Sequence, residues 1–168
     1  MILAVDVFYS SDNIAKIVGL LFEKWEDKIP KETIIEYLEN IEPYEPGSFY
    51  KRELPCILKL LSAINAETLD IIVIDGYVYL DDDKKFGLGA FLYKSIDGAV
   101  PVIGVAKTSF HANKQNVVEI FRGKSQNPLY ISAIGIDVNL VAKYISQMHG
   151  DYRFPTLLKL LDQETKEP

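Results

Sequence analysis

The sequence predicts an α/β domain in which helices flank one open, mixed β-sheet. Residues 2–41 hold three β-type runs in succession, which read as an antiparallel meander, whereas further along short apolar runs alternate with helical patterns, which calls for parallel pairing. Size agrees: 168 residues make about one domain at roughly 150 residues apiece, long enough to bury a core without disulfide or metal staples.

Residues 2–9 (ILAVDVFY) form a dense β-type run whose single acid, Asp6, stands among residues expected to be buried on both faces. Residues 16–25 and 33–41 continue the sheet, with Pro30 as a breaker between them; the second run also fits a helix. Two prolines and a glycine within 42–50 (EPYEPGSFY) mark an ordered loop that leads into a helix ending near residue 63. Leu54, Ile57, Leu58 and Leu61 recur at i, i+3, i+4 and i+7 and predict its apolar stripe. Pro55 is tolerable only in a first turn, so the helix is expected to begin within 51–54. Residues 69–75 (LDIIVID) read as a buried strand stopped by Gly76, after which Asp81 to Lys85 (DDDKK) ride a loop over the strand's C-terminal end. A helix over 87–96 and a strand over 100–106 follow, the strand delivering Lys107 at its exit. Residues 129–134 read as the last strand, 139–148 as a helix with Leu140, Tyr144 and Met148 along one side, and 156–161 as a closing helix after Pro155. The polar stretch 110–127 is expected to be an exposed connection, and the last residues to fray.

Hydrophobic residues at 48% and charged ones at 25% exclude disordered, collagen-like and coiled-coil classes. Cys56 has no partner for an intrachain disulfide, and with His111 and His149 as the only histidines there are too few soft ligands for a structural zinc. Any metal should therefore be hard and oxygen-bound, and Cys56 a small buried side chain rather than a nucleophile. No apolar run reaches the roughly 18–20 residues of a membrane span, and Met1 opens directly into a strand, so a cytoplasmic location is expected. The net charge of −6 argues against gripping nucleic acid by bulk charge. Locally, Lys107, Lys114, Arg122 and Lys124 against Glu119 alone suggest a basic rim.

Three acids stand where the chain delivers them to one edge of the sheet. Asp6 lies inside the first strand, Asp75 ends the next strand expected to run parallel beside it, and Glu53 falls in the expected first turn of the intervening helix. Each acid alone reads as a cap, turn or helix-dipole residue. Together, like charges at low dielectric must share a cation or keep protons. Mg²⁺, with Mn²⁺ as a substitute, takes carboxylates and water and leaves positions for phosphate oxygens.

In chain order, VDVFY (5–9), PYEPGSFYKRELP (43–55), VIDG (73–76), PVIGVAK (101–107), NPLYISAIG (127–135) and YRFP (152–155) resemble the motifs of the endonuclease V family. These are metal-dependent nucleases that act at deaminated adenine on an RNase H-like fold. The resemblance spans about residues 3–162, and the Pro-Tyr-x-Pro-Gly…Arg-Glu string is its specific part. It implies one RNase H-like domain over 1–168, a mixed sheet flanked by helices. The implied reaction is Mg²⁺-dependent hydrolysis of the second phosphodiester 3′ to inosine or deoxyinosine in DNA or RNA, with no membrane involved. Carried over by position, Asp6, Glu53 and Asp75 become the metal-binding catalytic acids, Glu53 acting through a water, and Lys107 the catalytic lysine beside the attacked phosphate. Tyr44 falls on the wedge that enters the base stack, and Pro46, Gly47 and Gly76 on backbone that reads the displaced base.

The resemblance also has departures. Val78 replaces a glycine expected to line the base pocket, the Asp81-Asp82-Asp83 run replaces basic residues, and Ile136 stands where a histidine is expected beside the metal. The resemblance starts at the first strand, without the helix that ordinarily precedes it. A rival reading is a non-catalytic or re-targeted nucleic-acid-binding homologue with an altered base pocket; the presence of Asp6, Glu53, Asp75 and Lys107 together argues against it.

Overall fold

The computed structural model describes residues 1–110 and 112–168, so His111 lies outside the described residues. β1 (Ile2–Tyr9), β2 (Ile14–Phe22) and β3 (Glu32–Glu39) form the expected antiparallel meander. The run that also fitted a helix is a strand because β2 offers it an eight-residue ladder, Ile14 to Glu39 through Leu21 to Glu32. α1 (Phe49–Ser62) crosses to β4 (Ile71–Asp75), and α2 (Leu88–Ser95) crosses to β5 (Val102–Ala106). β6 (Val118–Ile120), β7 (Leu129–Ile134), α3 (Val138–Gln147) and α4 (Thr156–Lys166) complete the chain. The sheet order is β3-β2-β1-β4-β5-β7-β6, with β1, β4 and β5 parallel and the remaining pairs antiparallel. The mixed open sheet is thus as the sequence predicts.

The sheet separates two cores. On one face α3 and α4 bury Val141, Ile145, Leu157 and Leu161 against Val18, Leu20, Ile103 and Ile131. On the other, α1 and α2 bury Cys56, Ile57, Leu60 and Leu92 against Leu3, Val5, Ile17 and Ile72.

Several expectations need correction. α1 begins at Phe49, so Pro55 sits in its interior rather than its first turn. Both Pro55 and Lys51, whose carbonyl loses its partner, are exposed, and water can solvate that carbonyl. The buried face of α1 is Glu53, Cys56, Ile57 and Leu60; Leu54, Leu58 and Leu61 only flank it. In α3 the buried residues are Val141, Ala142 and Ile145, while Leu140 is exposed. Inside the stretch expected to be a plain connection, β6 pairs with β7 and forms the sheet edge. Trp25 leaves β2 to stack on Tyr144, ring centroids 5.3 Å apart. α4 continues past residue 161, and its end is tied down by the Lys16 ammonium, which donates to the carbonyls of Glu164 and Glu167 at 2.7 and 2.8 Å.

Candidate active site

Val5 pairs with Ile74 in the parallel β1–β4 ladder, so Asp6 and Asp75 are the next residues of adjacent strands. Asp75 in turn pairs with Val105 of β5, and Lys107 follows two residues later. Side chains alternate along a strand, which puts Asp6, Asp75 and Lys107 on the face covered by α4. There they line one crevice with Phe154 and with Leu158 and Asp162 of α4. On the opposite face a second crevice is lined by the same Asp6 and Asp75 together with Phe49 and Glu53 of α1. The two aspartates therefore sit side by side where β4 ends against β1, with Glu53 lining the crevice on one face and Asp162 the crevice on the other.

The electrostatics of this edge are unfavourable as it stands. Burial, and then the neighbouring Asp75, raise the Asp6 pKa to about 7, although its Oδ1 accepts the Val7 N–H at 2.9 Å. Burial raises Glu53 to about 8, with Asp6 and Asp75 adding to the rise and the Tyr9 hydroxyl and Arg52 opposing it. Asp75 is solvent-accessible at the strand end, yet its carboxyl is crowded on most sides, and burial and Asp162 raise it against the pull of Lys107. Among the described residues none of Asp6, Glu53 or Asp75 forms an ion pair. Protein interiors tolerate such acids only with protons or a cation.

The donor set suits a hard divalent ion. Among the described residues no group of three or more His, Cys, Asp or Glu side chains is placed to hold a metal ion. Mg²⁺ does not require one: it keeps several waters and takes one or two carboxylates directly. Asp6 and Asp75, adjacent on neighbouring strands and open to two crevices, could supply such ligands, with Glu53 and Asp162 lining the crevices beside them.

The other predicted residues scatter around this centre. Glu53 lies in the second turn of α1, because the helix starts earlier than expected. Tyr44, Pro46 and Gly47 occupy the loop before α1, with Tyr44 58% exposed. The Ser48 N–H donates to the Glu45 carbonyl at 3.0 Å and Gly47 has φ of 79°, which makes a type II turn with Pro46 and Gly47 at its centre. Gly76, at φ of 120°, follows Asp75 directly; at both glycines a Cβ would meet nothing within 4 Å. Glycine is therefore required here by the backbone and leaves its surroundings open.

Most of the departures from the motif pattern are engaged in packing or turn contacts. Val78 is fully buried, and a Cβ on Gly89 of α2 would come within 2.7 Å of its Cγ2, so Val78 fills the α2 contact. Asp82 caps a neighbouring turn by accepting the N–H groups of Lys114 and Gln115 at 2.6 and 2.8 Å, and Asp81 accepts that of Lys85. Ile136 belongs to the core under α3 and α4. Because β7 runs antiparallel to β5, with Ile134 opposite Val102, Ile136 lies at the end of the sheet remote from Asp75 and Lys107. The expectation that it stands beside the metal site is wrong.

The basic rim also needs revision. Arg122 is buried, and its guanidinium donates to the carbonyls of Met148, Gly150, Tyr152 and Arg153. It clamps the α3–α4 connection rather than facing solvent, which leaves Lys107, Lys114 and Lys124 exposed. Cys56 is fully buried and burial raises its thiol pKa to about 11, consistent with a packing role.

Sequence reasoning missed Asp162. Its signal was present: it follows Leu161 and stands four residues after Leu158, an acid on the apolar side of the last helix. Ending that helix at 161 left it out.

The model of the Endonuclease V family matches residues 1–163. Endonuclease V of Nostoc punctiforme is 26% identical over 179 residues, covering 95% of this chain and 79% of that protein. Endonuclease V of Xanthomonas campestris pv. campestris is 31% identical over 102 residues, covering 61% of this chain and 42% of that protein. Among solved structures, Ciona intestinalis endonuclease V in complex with a 24mer DNA containing an inosine followed by a ribo-adenosine superposes with a TM-score of 0.81 at 16% identity, covering 98% of this chain and 84% of that one. The endonuclease V of Streptomyces avermitilis gives 0.74 at 21% identity, covering 98% and 79%. At these identities the structures establish the RNase H-like fold of the sheet and its flanking helices.

Proposed function

We propose that this chain, which belongs to the endonuclease V family, is a metal-dependent endonuclease that hydrolyses the second phosphodiester 3′ to inosine or deoxyinosine in nucleic acid. The observation that carries the reading is the shared edge itself: Asp6, Glu53 and Asp75, drawn from three elements and lacking any ion pair among the described residues, beside Lys107. The Ciona relative crystallised with inosine-containing DNA supports the choice of substrate. No helix among the described residues is long and apolar enough to cross a membrane, which fits a nuclease domain over residues 1–168 working in the cytoplasm.

Asp6 and Asp75 would hold Mg²⁺ or Mn²⁺ directly, with Glu53 acting through a water and Asp162 closing the opposite side. Bound there, the ion supplies positive charge that polarises the phosphoryl group and acidifies a water. Lys107 lies 4.9 Å over the Phe154 ring and makes no ion pair among the described residues, so its ammonium is available to the phosphate. Its charge matters most at the pentacovalent transition state, where extra negative charge develops. Glu53 orients the attacking water from the α1 side. The exposed Tyr44 ring is placed to enter a base stack, and the open backbone at Gly47 and Gly76 can approach a displaced base without an intervening Cβ.

The test is cleavage of a 5′-labelled single-stranded oligonucleotide with one central deoxyinosine, alongside its ribo-inosine twin and unmodified controls, in Mg²⁺, Mn²⁺ or EDTA. A single metal-dependent product ending one nucleotide beyond the inosine is expected. Absence of cleavage with either metal overturns the catalytic reading in favour of a binding homologue; equal cutting of unmodified strands overturns the inosine specificity.

A further inference from the structure

Tyr9 ends β1 and, three residues after Asp6, faces the opposite side of the strand, toward α1. The Arg52 guanidinium carbon lies 3.6 Å over the centre of its ring, so the ring is held flat between strand and helix. Its hydroxyl is buried close enough to the Glu53 carboxyl and the Cys56 thiol to act on both, yet it makes no hydrogen bond of full geometry with either. The Arg52 Nε is likewise buried without a partner. Buried polar atoms left unpaired are rare and call for a reason. Here one lies beside a carboxyl that is itself buried at 6% exposure and lines the crevice with Asp6 and Asp75, and the other belongs to the guanidinium stacked on the same ring.

Resting on the metal-site reading above, we propose that Tyr9 is a positioning residue for Glu53: its hydroxyl donates to one carboxylate oxygen and leaves the other oxygen turned to the crevice. Outer partners of metal-site carboxylates fix their orientation in this way. The thiol of Cys56 cannot take over the role, because it already donates weakly to the Arg52 carbonyl at 3.5 Å. Arg52 acts from the ring side. By stacking, it prevents the phenol from swinging away, and its charge favours the ionised form of Glu53. Tyr9 touches neither phosphate nor water in this scheme; it acts through Glu53 alone.

Tyr9→Phe keeps the ring and its Arg52 contact and removes only the hydroxyl. The full chain and the variant are titrated with Mn²⁺ by calorimetry at neutral pH, melted in EDTA, and assayed for inosine-strand cleavage against Mg²⁺ concentration. The Mn²⁺ dissociation constant and the half-saturating Mg²⁺ concentration should each rise about tenfold. The rate at saturating metal should change less, and the melting midpoint in EDTA should not fall. On a Glu53→Gln background, Tyr9→Phe should have no further effect on Mn²⁺ affinity. Unchanged Mn²⁺ affinity in Tyr9→Phe, a drop in EDTA melting that accounts for the loss, or an equal loss on the Glu53→Gln background would each overturn the assignment while leaving the metal site standing. A wild-type chain that binds no Mn²⁺ overturns the metal reading and the Tyr9 role with it.

Discussion

Raising the pH should destabilise the metal-free protein, because two acids at the sheet edge hold their protons far longer folded than unfolded. Asp6 rises from 3.8 to about 7 and Glu53 from 4.5 to about 8, in both cases chiefly through burial. A raised carboxyl contributes stability that is whole below its unfolded pKa and is lost as pH climbs to the folded one. The loss for Asp6 therefore accumulates between about pH 4 and 7, and that for Glu53 between about pH 4.5 and 8. From pH 5.5 upward the two still have about four pH units of loss between them, on the order of 5 kcal/mol at about 1.4 kcal/mol per unit. A divalent cation held by these acids, as proposed, would reverse the sign: it would bind their ionised forms, gain affinity over the same window, and stabilise the folded state by mass action. Urea unfolding at pH 5.5, 7 and 8.5, in EDTA and in excess Mg²⁺, measures both effects. In EDTA the unfolding free energy should fall across the series, and in Mg²⁺ it should be level or rise; Glu53→Gln should flatten the EDTA series. EDTA values that stay constant or increase, or curves that coincide with and without Mg²⁺, would refute the claim that these acids form a cation site.

Three further outcomes follow from the geometry. Asp75→Asn should reduce cleavage to the EDTA background while raising metal-free stability, since it removes a like charge beside Asp6; cleavage at the wild-type rate would remove Asp75 from the site. Lys107→Ala should slow cleavage by about 10²–10³-fold with little change in substrate affinity or urea midpoint, because it withdraws charge needed in the transition state. Arg122→Ala should cost on the order of 3 kcal/mol in urea unfolding, since four carbonyls lose a buried cation, yet leave the salt dependence of oligonucleotide binding unchanged. A reduced salt slope in that variant would return Arg122 to the phosphate contacts.

The inner strands were legible because each is a dense run of β-type apolar residues, and 2–9 and 129–134 match their observed limits, whereas the alternating β3 also fitted a helix and the three-residue β6 was missed. Helix faces were less legible. In α1 the buried side includes Glu53, and a reader who follows only apolar residues is turned toward Leu54 and Leu61 by the acid that occupies the core position. This is a local rule broken where a charged group is held against the core. Arg122 failed for the converse reason: a count of basic residues cannot distinguish a solvated cation from one that satisfies four carbonyls within the fold. Asp162 lay one residue past the expected end of its helix, and helix ends are the least certain part of a periodic pattern.

Ile136 shows a limit of another kind. A residue after a strand belongs to whichever edge that strand leaves by, and the direction of β7 is set by its partner β5 and not by its own six residues. Antiparallel pairing carries Ile136 to the far edge, into the core beneath α3 and α4. The same topology explains why Asp162 reaches the acids: α3 and its connection return the chain from that far edge, the Arg153 guanidinium donates to the carbonyls of Lys107 and Pro128, and α4 is thereby started beside the β5 exit. Val78, Asp81, Asp82 and Ile136 are occupied in a helix contact, two turn caps and a core. On the proposed function, a change in base preference is sought first at the exposed Tyr44 to Gly47 turn or at the open Gly76 backbone, and a change in metal affinity at Asp6, Glu53, Asp75, Asp162 or their immediate partners.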